Sequence, residues 1–125
     1  MSTYKLQTQA KVVVKVFTKI INKRFGVSMP IPNLTFNVRG TNAGMAHYGP
    51  HLVDLNMRLF EENPSYFFNQ TIPHEVAHLA SVHIHGDNGN GHGKEWKVIM
   101  GLIGREPKRY HNLDVSNVKR RRYGS

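Results

Sequence analysis

The chain has no cysteine. Disulfides and thiolate metal sites are therefore excluded, so any bound metal must rely on histidine and carboxylate. No apolar run approaches the roughly 20 residues that a membrane-spanning helix needs. Lys11, Lys15 and Lys19 interrupt the one valine-rich stretch. The N-terminus lacks the apolar core and small-residue cleavage site of a secretory signal. Cytoplasmic residence, with no membrane partner, is the resulting expectation. No internal repeat or low-complexity region stands out. With 125 residues the chain is expected to form one domain with a single core. That domain is expected over residues 1–118, with 119–125 as a basic tail.

Acidic residues are missing from one part of the chain. Residues 1–39 carry seven basic and no acidic side chains, whereas residues 40–93 carry a net −4 and residues 94–125 a net +6. The positive charge thus sits towards the two ends, outside the middle segment. Lys11, Lys15, Lys19 and Lys23 recur every four residues and predict a stripe on one helix face. Val12, Val13, Val16, Phe17, Ile20 and Ile21 populate the other faces. Like charges at this spacing cost a few tenths of a kcal/mol per pair, so the row is not there for helix stability. It reads either as a solvated face or as a sequence-neutral contact to nucleic-acid phosphates. The run Lys119, Arg120, Arg121 and Arg122 fits the second reading as a basic arm, and equally a solubilising tail.

What the middle segment does contain is a motif. Residues 74–78 read His-Glu-Val-Ala-His. On a helix, positions i and i+4 share a face, so His74 and His78 would present two imidazoles to one point with Glu75 beside them. Two such histidines, a nearby Glu and a third downstream ligand make a hydrolytic zinc site, with one zinc ion per chain and the fourth position open to water. Val76, Ala77, Leu79, Ala80 and Val82 surround the histidines with apolar side chains, as a buried active-site helix requires. The third ligand has three candidates. His85 lies about 10 Å along the helix axis from His78, too far for metal–nitrogen bonds of about 2 Å. His92 and Glu95 both follow the Gly-rich turn 86–91, and spacing alone excludes neither; His92 is the first choice and Glu95 the runner-up. The longer pattern H-E-x-x-H-x-x-G-x-x-H is not met, because Ser81 and Ile84 stand where it needs Gly and His. His83 and His85 read as a polar helix end.

Around this motif the pattern predicts an α+β fold. A helix is expected from Tyr4 to about Arg24, stopped by Gly26. Strands are expected at Leu34–Val38, Met45–Tyr48 and Leu52–Leu55, the last two forming a hairpin around Gly49-Pro50. A short helix should start near Asn56, a long one should run from about Pro64 to His85 with a bend near Pro73, and another should span Lys94–Leu102. The segment 105–118 reads as mostly irregular. The small sheet is expected to be antiparallel, packed on the N-terminal helix and the motif helix, with Leu52–Asn56 as its free edge for an extended peptide. Trp96, Met45, Met57 and Met100 read as packing residues.

The segment from about Asn33 to Asn117 resembles the SprT family of zinc metallopeptidase-like proteins, whose eukaryotic relatives include Spartan. The residues that carry the resemblance are Arg39-Gly40-Thr41-Asn42-Ala43-Gly44-Met45-Ala46, Leu55-Asn56, Pro73-His74-Glu75-Val76-Ala77-His78-Leu79, His92-Gly93-Lys94-Glu95-Trp96-Lys97 and Arg109-Tyr110-His111. The resemblance implies a zincin-like core, metal ligands His74, His78 and His92, and Glu75 as catalytic base. It also implies DNA as a partner, since eukaryotic relatives act on DNA-bound proteins. Bacterial members typically continue into a Cys-rich zinc ribbon; this chain, lacking cysteine, is expected to be a core-only version.

Two functions follow as expectations. The first is a zinc-dependent endopeptidase acting on protein or peptide, with DNA-associated proteins as the substrate class. Glu75 would move the proton, and Tyr110, His111 or Arg109 would stabilise the oxyanion. The second is a basic nucleic-acid-associated module with a structural zinc and negligible proteolysis.

Overall fold

The structure, a computed structural model, describes residues 2–108 and 110–118 apart from the Asn88 side chain. Its longest element, α1 (Thr3–Phe25), starts where the Ser2 side chain accepts a hydrogen bond from the Lys5 backbone N–H. It ends at Gly26, whose φ of 63° lies in the left-handed region that glycine enters without strain. Leu6, Ala10, Val14, Phe17, Thr18 and Ile21 form its buried stripe. The valine-rich run is not all core: Val12 and Val16 point outward with exposures of 57% and 47%. Helical periodicity forces this, because consecutive residues lie 100° apart on the helix.

Three short strands follow: β1 (Asn33–Thr35), β2 (Gly44–His47) and β3 (Leu52–Leu55). The sheet is mixed, not antiparallel as expected, with order β1-β3-β2. β2 and β3 form the expected antiparallel hairpin, while β1 pairs parallel with β3 on its other side. The chain between β1 and β2 passes over the end of β3, and the Asn56 side chain braces that crossing by donating to the Gly40 and Asn42 carbonyls. β1 is shorter than expected because the Asp54 carboxylate accepts from both the Thr35 hydroxyl and the Asn37 N–H, replacing ladder pairing with a side-chain clasp. This order also corrects the edge assignment. Leu52–Leu55 is the central strand, and β1 and β2 are the edges.

Asn56 then caps α2 (Met57–Glu62) through its Oδ1. The helical path from Pro64 to His85 comprises α3 (Pro64–Tyr66), a π-helical turn (Phe67–Thr71) and α4 (Ile72–His85). The expected disturbance near Pro73 is thus a π turn just before it, in which Ile72 N–H reaches back five residues to the Phe67 carbonyl. Pro73 has no N–H to give the Asn69 carbonyl and its ring crowds that oxygen, so a wider turn relieves both problems. A 3-10 turn (Gly86–Gly89) and α5 (Lys94–Leu102) complete the fold, followed by an irregular segment. Val53, Leu55, Phe60, Phe67, Ile72, Val76, Ala80, Trp96, Ile99 and Met100 are fully buried between helices and sheet. Burying each of the Val, Leu, Ile, Phe and Met side chains among them contributes about 1.5–3 kcal/mol. Met57 is partly buried against this core, whereas Met45, expected to pack there, is 44% exposed on the edge strand. No helix among the described residues is long and apolar enough to cross a membrane.

Candidate metal centre

α4 presents His74 and His78 from one face, and the turn after it returns His92 to the same point. The three Nε2 atoms stand 3.1 Å (His74–His92), 3.2 Å (His74–His78) and 2.9 Å (His78–His92) apart. Three nitrogens held tetrahedrally about 2.05 Å from one ion would stand about 3.3 Å apart. The triad is therefore close to the spacing a zinc ion requires, and these residues could hold a metal ion. Glu95 and His85 are not part of this group among the described residues. Burial pulls the pKa of His74 down to about 4 and that of His78 to about 3, with the neighbouring imidazoles adding to the effect. Both are consequently neutral at pH 7, the form that binds a metal.

The rings have a common support. Trp96, fully buried on α5, lies 4.8 Å from His74, 5.4 Å from His78 and 4.8 Å from His92 between ring centroids. Its indole N–H donates to the His74 carbonyl at 3.3 Å. The expectation that Trp96 packs on the core holds, and its contact with all three imidazoles adds to it. The turn bearing His92 is fixed by close approach: a Cβ at Gly89 would overlap the Ser81 carbonyl on α4. Only glycine allows the loop to lie that near the helix.

Glu75 projects from the same turn of α4, its Oε2 3.8 Å from His74 Nε2. Its burial pushes the carboxyl pKa up to about 8. A divalent cation in the triad would favour the carboxylate again. β2 lies against this carboxylate. A Cβ at Gly44 would come within 3.2 Å of Glu75 Cγ and 3.3 Å of the Asp54 carbonyl, so glycine lets the edge strand run close to the site.

A cavity of about 500 Å³ opens beside the triad. Ala43 and Gly44 form one wall, Tyr66, Gln70 and Thr71 another, and Lys108, Tyr110, His111, Leu113 and Val115 a third. Tyr110 and His111, the candidate oxyanion stabilisers, both line the cavity. His111, however, has both ring nitrogens engaged: Nε2 donates to the Thr41 carbonyl at 2.7 Å, and Nδ1 accepts from the Leu113 N–H at 3.1 Å. Tyr110 is 75% exposed. Burial raises the pKa of Tyr66, with nearby Lys108 opposing this and Glu106 adding to it. Tyr48, in the β2–β3 turn, was not singled out by the sequence. Burial raises its pKa, the nearby Gly91 backbone opposes this, and the charge of Glu75 adds to it.

Lys11, Lys15, Lys19 and Lys23 are all exposed on α1, and none lines the cavity. Arg109 and the run Lys119, Arg120, Arg121 and Arg122 lie outside the described residues.

Residues 13–118 match the SprT-like family model. The chain is 42% identical over 95 residues to Protein SprT of Pseudomonas putida, covering 75% of this chain and 58% of that protein. It is 39% identical over 115 residues to Protein SprT of Vibrio parahaemolyticus, covering 91% of this chain and 69% of that protein. For Protein SprT of Pseudomonas aeruginosa the identity is 40% over 100 residues, covering 79% and 61%. The chain therefore spans about three fifths of the length of most of these curated relatives. No solved structure matches. The family match covers most of the chain, with the histidine triad inside it, and the chain belongs to the SprT-like family.

Proposed function

We propose that this chain is a zinc-dependent endopeptidase domain with a zincin-like arrangement, acting on extended segments of DNA-associated proteins. One observation carries the reading: the Nε2 atoms of three imidazoles converge within 3.2 Å of one another, beside a buried carboxyl and an open cavity. A zinc ion held by His74, His78 and His92 would supply Lewis acidity towards a water and the scissile carbonyl. The chain's own residues do the rest. An extended peptide adds to β2, an edge strand, through main-chain hydrogen bonds, which demands little side-chain selectivity. Glu75 takes the proton of the attacking water at its carboxylate and delivers it to the leaving amide nitrogen. Tyr110 on the cavity wall donates to the developing oxyanion. His111, with both nitrogens occupied, holds the wall to the loop at Thr41 instead.

The lysine row on α1 supports a DNA partner, as does the basic run 119–122. That row is also what favours the second reading, a basic nucleic-acid module with a structural zinc. Against it stands the donor set: a closed structural site uses four protein ligands, and among the described residues this one has three beside a cavity.

The test is cleavage of an unfolded protein by the zinc-loaded chain, with and without DNA. Wild type should cut, and Glu75→Gln should cut at least about 100-fold more slowly while keeping its metal. Equal cleavage by both would remove Glu75 as the base. Absence of cleavage in every condition would leave the second reading standing.

A further inference from the structure

The described residues of the segment 105–118 have no helix or strand to hold them, yet they form one wall of the cavity. Side-chain hydrogen bonds take that role. The Gln70 amide donates to the Glu106 carbonyl at 2.6 Å, and the Asn117 amide to the Glu62 carboxylate at 3.2 Å. Between these ties, His111 Nε2 donates to the Thr41 carbonyl at 2.7 Å, 70 residues away in sequence. Its Nδ1 accepts from the Leu113 N–H at 3.1 Å, which fixes the tautomer and so aims the first bond.

Thr41 lies in the loop that crosses over β3. Asn56 holds the carbonyls on both sides of it: its side chain donates to Gly40 and Asn42, and its backbone N–H to Ala43. Asn56 is only 2% exposed, so this grip comes from the core side. The Thr41 carbonyl is the one in the run held from the opposite wall of the cavity. Three residues on, Gly44 begins β2 and passes so near Glu75 that a Cβ there would come within 3.2 Å of Glu75 Cγ. His111 thus grips the stretch that leads the edge strand past the carboxyl.

We propose that His111 is a positioning residue for substrate binding: it fixes the width of the cleft by tying the 105–118 wall to the loop that leads into β2. The inference rests on the reading of the chain as an endopeptidase that takes a peptide along β2. Without the tie, a peptide must order both loop and wall as it binds, so affinity falls. The chemical step is spared, because both ring nitrogens are already engaged away from the reacting atoms. Losing binding that is common to ground state and transition state raises KM and leaves kcat alone.

The experiment compares two replacements that each keep half of the clasp. In His111→Gln the amide nitrogen lies near the place of Nε2 and can still donate to Thr41. In His111→Asn the amide oxygen lies near the place of Nδ1 and can still accept from Leu113, but the side chain is too short for Thr41. A fluorescence-quenched peptide gives KM and kcat with the zinc-loaded chain. The same peptide gives a dissociation constant in the zinc-loaded Glu75→Gln background, and amide hydrogen exchange follows residues 40–47. His111→Asn should raise KM and the dissociation constant about tenfold, keep kcat within about twofold, and speed exchange over 40–47. His111→Gln should stay within about threefold of wild type in each. Equal losses in the two variants would overturn the proposal, because the Thr41 bond would then not be what matters. So would wild-type KM and exchange in His111→Asn. A fall in kcat at unchanged KM would also overturn it, by placing His111 in the reaction itself. A wild-type chain that binds the peptide without cutting it would overturn the endopeptidase reading instead, and the dissociation constants would still decide the role of His111.

Discussion

α1 and α4 are both helices with one face on the core, yet they spend their polar residues differently. α4 buries the polar residues of its first half: Glu75 and His78 are each 7% exposed, and His74 is half-buried between a tryptophan and the cavity, whereas His83 and His85 at its end are exposed. α1 puts four lysines into solvent, at a spacing where they repel one another. Burial makes the α4 groups sensitive to each other and to protons. Exposure leaves the α1 groups responsive mainly to salt and to large polyanions. A buried constellation can specify chemistry, because its geometry is fixed by packing. An exposed row specifies only a sign of charge.

The largest effect expected from breaking the buried side lies at Gly89. Gly89→Ala drives a methyl into the Ser81 backbone, and should destabilise the fold by about 2–4 kcal/mol and weaken zinc binding more than tenfold. Thermal unfolding and chelator titration read both. Wild-type behaviour in both would mean that the His92 turn is held by something else.

Next comes the pH response of the metal-free protein. The folded-state pKa of Glu75 is raised, by burial, from 4.5 to about 8. The folded chain therefore keeps a proton that the unfolded chain has lost, and stability falls as pH rises from about 4.5 to about 8. Glu75→Gln lacks this loss. Its stability advantage over wild type should open across that window, by up to about 1.4 kcal/mol per pH unit, and stay flat above it. The lowered values of His74 and His78 act in the opposite sense. They remove stability as pH falls from about 6.5 towards 3–4, and they do so in both proteins. Urea unfolding at several pH values gives the difference directly. A gap that does not change between pH 5 and 8 would contradict the burial of an ionisable Glu75.

The smallest effect belongs to the exposed side. Replacing Lys11, Lys15, Lys19 and Lys23 by Gln should change folding stability by less than about 1 kcal/mol, in the stabilising direction. The same variant should weaken DNA binding and flatten its dependence on salt. DNA binding that ignores salt, or that survives the substitution intact, would leave the row as a solvated face.

The metal face was legible in the sequence because its signal is local. His74 and His78 lie one turn apart, and His92 opens the segment just after a glycine-rich reversal. Glu95 stayed open as third ligand because it shares a helix face with His92, and only the relative placement of α4 and α5 separates them. The helices were legible from their apolar periodicity and from Gly26, Asn56 and Pro73. The sheet was less so: alternation marks strands but not their partners, so the parallel pairing of β1 and the outer position of β2 depend on the crossing loop that Asn56 braces. The contacts of Gln70 with Glu106, His111 with Thr41 and Gly89 with Ser81 leave no local pattern at all. Each joins polar or small residues from separate elements, and such pairs are read only from coordinates.

The most direct test of the metal assignment is the zinc content of the purified chain, measured for wild type, His92→Ala and Glu95→Ala. One zinc per chain in wild type and Glu95→Ala, with none in His92→Ala, is the result expected from the three-histidine site. No zinc in wild type, or zinc that survives His92→Ala but not Glu95→Ala, would contradict it.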